Sequence, residues 1–188
     1  MTQADIPLIC IPYFSADGHT AALAGLICEG AGGARLIDVT AMVDEDWDAL
    51  DAATLIAMGT PTYMGSSAAR FDMFIEEAAE RWQHQAWGDK MAAGFTVAVH
   101  PSGDKLTALM RLTVFAAQMG MIWVGQNTIG APVFPEAVGL NRDGSWLGLM
   151  ATGDGDSETP ISAEDAQTAR LFGARLAAAA SRWHTGAE

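Results

Sequence analysis

Ile6-Pro7-Leu8-Ile9-Cys10-Ile11-Pro12-Tyr13-Phe14, followed at once by Ser15-Ala16-Asp17-Gly18-His19-Thr20, decides the fold. The first nine residues are nearly all apolar, which suits a strand buried on both faces rather than one. A strand covered on both faces belongs to a parallel sheet with helices above and below it. Gly18, His19 and Thr20 then open an Ala- and Leu-rich helix that ends near Gly30. Pro12 has no N–H to give to a ladder, so it is expected near the strand end or at a bulge.

The same alternation runs along the chain. Strands are predicted at Arg35 to Val39, Leu55 to Met58, Met91 to Val99 and Met121 to Val124. Helices are predicted from Ala68 to Trp82, where Phe71, Phe74, Ile75, Ala78 and Trp82 recur at helical spacing, and from Leu106 to Met119. A last Ala-rich helix spans Ser162 to Ser181, with Ser162 as N-cap and Asp165 three residues on, a capping-box-like pair. Five buried strands with intervening helices predict an α/β doubly wound sheet with helices on both faces. Gly125 to Ser145 is the longest irregular stretch, and a loop of that length in a compact fold is expected to carry function.

Composition narrows the function. A chain of 188 residues, half of them hydrophobic, suits one domain spanning 1–188. The formal net charge of -13 repels nucleic acid and anionic membrane surfaces, so neither is an expected partner. Cys10 and Cys28 have neither CxxC spacing nor a nearby His, so buried free thiols are expected and no metal site. No leader pattern or membrane-length apolar run is present, and a soluble, cytoplasmic protein without membrane insertion is expected.

In an open α/β sheet, ligands bind outside the carboxyl ends of the strands where strand order reverses. Three stretches fall there. Ser15 to Thr20 offers two hydroxyls and the free amides of a helix start, suited to a phosphate, although an ordinary capped turn uses the same residues. It has no Walker Lys and no GxGxxG. Gly59-Thr60-Pro61-Thr62-Tyr63-Met64-Gly65-Ser66 lets the backbone approach a flat ligand, with Tyr63 or Met64 against a ring face; the alternative is a turn capped by Ser66 or Ser67. Val99-His100-Pro101-Ser102-Gly103-Asp104-Lys105 is the third, with a turn capped by Ser102 as its plain alternative.

With these pieces in order, the chain resembles the flavodoxin-like NAD(P)H:quinone oxidoreductases of the tryptophan-repressor-binding-protein (WrbA-like) type. The resemblance runs from about residue 6 to about residue 180. It is carried by Tyr13-Phe14-Ser15 with Gly18-His19, Gly59 to Gly65, Gly88-Asp89-Lys90, Gly120-Met121 and Gly153-Asp154-Gly155. It implies a sheet of five parallel strands in the order 2-1-3-4-5. It also implies FMN as cofactor, NAD(P)H as co-substrate, a quinone-like acceptor and a homo-oligomer, dimer or tetramer. Ser15, Asp17, Gly18, His19 and Thr20 then fall in the FMN phosphate loop. Pro61, Thr62, Tyr63, Met64 and Gly65 fall along the isoalloxazine, and Ala98, Val99, His100, Pro101, Ser102 and Gly103 on its far side. Such enzymes pass a hydride from NAD(P)H to the flavin and two electrons on to a quinone, the protein setting the flavin's position and potential.

The sequence departs from that family in four places. Asp17 is a carboxylate where a neutral residue is usual, and the third loop has fewer hydroxyls. Met119 replaces a His before Gly120-Met121, and the segment after the second strand is shorter. His100 is the candidate catalytic residue, a donor to a quinone oxygen or to reduced flavin, with a solvated loop His as its plain alternative; Trp146 lies in the long loop, where covering a neighbouring subunit's flavin is the lesser of its readings. Two other readings share the fold: a flavodoxin-type electron carrier, suited by the acidic surface, and a flavin-free regulatory or interaction module. A response-regulator receiver is excluded because the acidic cluster after strand one and the Lys after strand five are missing.

Overall fold

The computed structural model describes residues 6–153 and 161–185. In chain order the elements are β1 (Ile9–Tyr13), α1 (His19–Gly30), β2 (Arg35–Asp38), α2 (Asp44–Ala52), β3 (Leu55–Tyr63), β4 (Ser66–Ser67), α3 (Ala69–Glu77), α4 (Ala79–Gln83), β5 (Met91–Ala98), α5 (Lys105–Gln118), β6 (Ile122–Trp123), β7 (Leu149–Thr152) and α6 (Ala163–Thr185). The principal strands run parallel in the order β2-β1-β3-β5-β6, the doubly wound order the resemblance implies.

The strand period of two sorts the core into two layers. Ile9, Ile11, Leu55, Ala57, Ala93, Phe95 and Val97 meet α1 and α6 through Leu23, Ile27, Phe172 and Leu176. Cys10, Ile56, Met58 and Ala92 point the other way, to Leu50 of α2, Phe71 and Phe74 of α3, and Leu109, Leu112 and Phe115 of α5. Pro12 sits one residue from the end of β1. Phe14 N–H donates to Gly59 O, so by the same period the Pro12 nitrogen also faces β3, and the β1–β3 register has its gap at Ile11 and Pro12. The missing donor therefore costs one ladder bond near the strand end.

Cys10 is fully buried, and its thiol donates to Ala49 O at 3.5 Å. Burial pushes its pKa up from 9.0 to about 11. Between those values the unfolded chain has lost a proton that the folded chain keeps, so stability falls as pH rises. Wild-type protein is expected to lose about 1 kcal/mol by pH 10 relative to neutrality, and Cys10→Ala to flatten that limb, in denaturant titrations across pH.

In the helices and the fifth strand, the structure differs from the sequence expectation in four ways. The helix expected from Ala68 to Trp82 is two, α3 and α4, joined at Ala78. α2 was not foreseen because its composition is acidic. Asp44, Glu45 and Asp46 favour its positive N-terminal end, and the Asp46 carboxylate accepts from Val43 N–H and from Arg35. At α6, Asp165 N–H donates to Ser162 Oγ as a cap should, but the Asp165 carboxylate does not complete a capping box. It is buried and accepts from Thr152 N–H and Arg142 instead.

The fourth difference reaches the ligand end of the sheet. The fifth strand does not stop near Val124. β6 pairs with Met91 and Ala92, and β7 resumes along the same edge of β5, pairing with Phe95 to Ala98. The segment between them is an insertion into one edge strand, tied down by three consecutive residues. Asn141 donates to Thr128 O and Ser145 O, Arg142 pairs with Asp165, and Asp143 pairs with Lys105. No helix among the described residues is long and apolar enough to cross a membrane.

Candidate functional site

Three strand ends and the start of α1 surround a cleft of about 470 Å³, within the range of small-molecule sites. It is lined from the β1–α1 turn by Ser15, Ala16, Asp17, His19 and Thr20, from β3 by Pro61, Thr62 and Tyr63, and from the β5–α5 turn by Val97, Ala98, Val99, His100 and Gly103. Gly153, just beyond β7, closes it.

The β1–α1 turn is built to leave donors open. Gly18 holds a left-handed φ of 87°, with open space where a Cβ would be, and α1 starts at His19 with no side-chain cap. First-turn amides of a helix have no intrahelical acceptor, and the macrodipole makes that end positive. Among the described residues, Ser15 Oγ and His19 Nε2 are both buried without a hydrogen-bond partner. Buried polar groups are normally satisfied, so two orphans in one turn at a helix start fit a polar ligand group there. The His19 ring needs Gly153, because a Cβ there would lie 2.7 Å from its Cδ2.

β3 runs on through Gly59 to Tyr63, five residues past the expected stop at Met58, because Gly59, Thr60 and Pro61 keep register with Phe95, Thr96 and Val97. It turns back into β4 through Met64 and Gly65, both left-handed at φ 49° and 79°, the pattern of a two-residue type I′ hairpin. Thr60 Oγ1 accepts from Ala68 N–H, and Thr62 Oγ1 bonds Thr96 Oγ1 at 2.8 Å, so the cleft wall is cross-tied. At Gly59 a Cβ would sit 2.0 Å from the Phe95 ring. Gly59→Ala is therefore expected to cost about 2–3 kcal/mol by overpacking, read as a lower denaturation midpoint.

At the β5–α5 turn, Gly103 and Asp104 are both left-handed, at φ 51° and 54°. The reversal keeps Val99 and His100 at the cleft and sends Pro101 and Ser102 to the other side. There they line a second groove of about 680 Å³ with Leu106, Trp146, Leu147 and Met150. Behind the turn, Lys105 is fully buried; its Nζ pairs with Asp143 and donates to Ala151 O and Thr152 Oγ1.

The structure thus brings together Ser15, Asp17, His19, Thr20, Pro61, Thr62, Tyr63, Ala98, Val99, His100 and Gly103. Gly18, Met64, Gly65, Pro101 and Ser102 do not line the cleft; Met64 is fully exposed at the hairpin tip. Sequence reasoning missed Ala16, Val97 and Gly153 as wall residues. Gly153 stood in the Gly153-Asp154-Gly155 motif, whose last two residues lie outside the described part. Trp146 is half exposed and faces the second groove, not the cleft.

Electrostatically the cleft is sparse. Asp17 is its one Asp, Glu, Lys or Arg among the described residues, and it is exposed. The Tyr63 phenol is held above its ordinary pKa first by burial and then by the Asp17 charge, which places the two near each other at the mouth. No three His, Cys, Asp or Glu side chains among the described residues gather as a metal site needs.

Comparison with known proteins agrees with this geometry. Residues 4–136 match the family described as NADPH-dependent FMN reductase. Flavodoxin FldP of Pseudomonas aeruginosa is 32% identical over 179 residues, covering 93% of this chain and 97% of that protein. An NAD(P)H dehydrogenase (quinone) of Nitrobacter winogradskyi is 26% identical over 199 residues, covering 94% and 98%. Among solved structures, the flavodoxin, WrbA-like protein from Agrobacterium tumefaciens superposes with a TM-score of 0.75 at 33% identity, over 94% of this chain and 98% of that one.

Proposed function

The chain belongs to the NADPH-dependent FMN reductase family, and from that premise we propose that it is an FMN-binding oxidoreductase carrying electrons from NAD(P)H to a quinone or similar acceptor. The observation that carries the reading is the pair of orphaned donors, Ser15 Oγ and His19 Nε2, at the start of α1. Polar side chains at a positive helix end suit a phosphate dianion, and the largely apolar walls beside them suit a flat ring system.

Ser15, His19 and the first-turn amides would hold the phosphate. Pro61, Thr62 and Tyr63 would lie along one side of the ring, with Ala98, Val99 and Gly103 on another. FMN, when bound, supplies two-electron chemistry between a nicotinamide and a quinone. The residues' part is to fix the ring, keep water from its buried edge and offer protons at its open edge. Tyr63 and His100, both exposed in the cleft lining, would offer those protons. The Tyr63 phenol, its pKa raised, stays a donor throughout the physiological range. His100 is exposed on the β5–α5 turn and would meet an acceptor's oxygen.

Purified protein incubated with excess FMN and desalted is expected to keep a flavin absorption spectrum and to oxidise a reduced nicotinamide when a quinone is added. A protein that retains flavin but turns over no nicotinamide with any quinone is not this enzyme. That outcome would favour an electron carrier, the reading supported by the similarity to FldP and by the net charge of -13, which suits docking on a basic redox partner.

A further inference from the structure

We infer that Asp17 sets the donor specificity of the cleft, turning away dinucleotides that carry a 2′-phosphate, so that NADH rather than NADPH is the preferred donor. The inference rests on the reading above that the chain oxidises reduced nicotinamides, and it runs against the nucleotide in the family's own description.

Three observations lead to it. Asp17 is exposed at the cleft mouth, and no Lys or Arg lines that cleft among the described residues. Six of the chain's ten Lys and Arg residues are engaged elsewhere. Arg35, Arg81, Lys105, Arg111, Arg142 and Arg170 each pair with a carboxylate away from the cleft. Among the described residues Asp17 forms no ion pair, so its charge is not neutralised locally. Its influence already reaches Tyr63, which also lines the cleft.

A donor must cross this mouth to reach a ring held between the three turns. NADH and NADPH both carry a pyrophosphate, but NADPH adds a monoester phosphate of about two further negative charges at neutral pH. Sites that accept that group generally meet it with an Arg. Here it would meet the Asp17 carboxylate, with no Lys or Arg lining the cleft among the described residues. Two like charges held within about 8–10 Å of Asp17 in water lower relative affinity on the order of fivefold, and salt screens the effect.

The test compares FMN-loaded wild type, Asp17→Asn and Asp17→Arg. For each, kcat/KM is measured with NADH, NADPH and the uncharged donor N-benzyl-1,4-dihydronicotinamide. The last value normalises out any change in the bound flavin. Equilibrium dissociation constants of NAD+ and NADP+ for the oxidised protein, by calorimetry, give a reading independent of turnover. At low salt the wild type is expected to favour NADH on the order of fivefold, with the gap closing as salt is raised. Asp17→Asn brings the ratio near unity, Asp17→Arg inverts it, and the binding constants follow. A wild type that favours NADPH, or ratios equal in all three proteins, overturns the inference while leaving the proposed activity standing. A flavin that none of the donors reduces removes the proposed activity, and this inference with it.

Discussion

Ser15→Asp is expected to weaken FMN binding by two orders of magnitude or more. Ser15 Oγ is buried, lacks a partner among the described residues and sits in the turn that starts α1. A hydrogen bond to a charged group is worth about 1.5–3 kcal/mol, so Ser15→Ala alone should cost about tenfold or more. Aspartate removes that donor and also places a buried negative charge beside the phosphate, where water screens it poorly. Titration of FMN fluorescence against wild type and both variants measures the effect. Riboflavin, which lacks the phosphate, should show a much smaller difference between the three proteins. Equal FMN affinity in wild type and Ser15→Asp would mean that this turn does not hold the phosphate.

Lys105→Ala should destabilise the protein by about 3–5 kcal/mol, the usual cost of removing one partner from a buried ion pair. Lys105 is fully buried and holds Asp143 of the insertion, the Ala151 carbonyl and the Thr152 hydroxyl at once. Its loss leaves the Asp143 carboxylate partly buried and unpaired, and frees the insertion from β7. Chemical denaturation gives the magnitude. The pair Lys105→Met with Asp143→Leu tests the cause, because replacing both charges with apolar groups of similar size should recover most of the loss. If Lys105→Ala and the double variant unfold at the same midpoint, the charge left behind is not what the single variant suffers from. The loosening also has a functional side: Gly153 follows β7 and packs against His19, so Lys105→Ala should weaken FMN binding from a distance.

Much of the fold was legible from short-range pattern. The run from Ile6 to Phe14 reads as a strand buried on both faces because apolar residues fall on both sides of it. The structure divides Ile9 and Ile11 from Cys10 between two cores in that way. Ser15, Gly18 and His19 were legible as the turn that opens α1 because the requirements of a helix start are local. α2 was not, since Leu50 and Ala49 are its only buried residues and its acidic first turn reads as a solvated loop. β3 was cut short in the reading because Gly59, Thr60 and Pro61 carry turn chemistry in isolation, while pairing with β5 holds them extended.

What the sequence determined by itself is the layered α/β architecture, its strand order through resemblance, and the turn at the start of α1. Each is written in residues a few positions apart, where backbone sterics, periodic burial and helix-end donors act. Tertiary structure alone decided that the fifth strand resumes at Leu149 after its insertion. It also decided that Gly153 closes on His19 and that Pro101 and Ser102 turn away while His100 stays at the cleft. Those outcomes depend on partners far along the chain, such as Lys105 with Asp143 and Thr152, 38 and 47 residues away. No local propensity encodes a contact whose energy exists only once the sheet has brought both ends together.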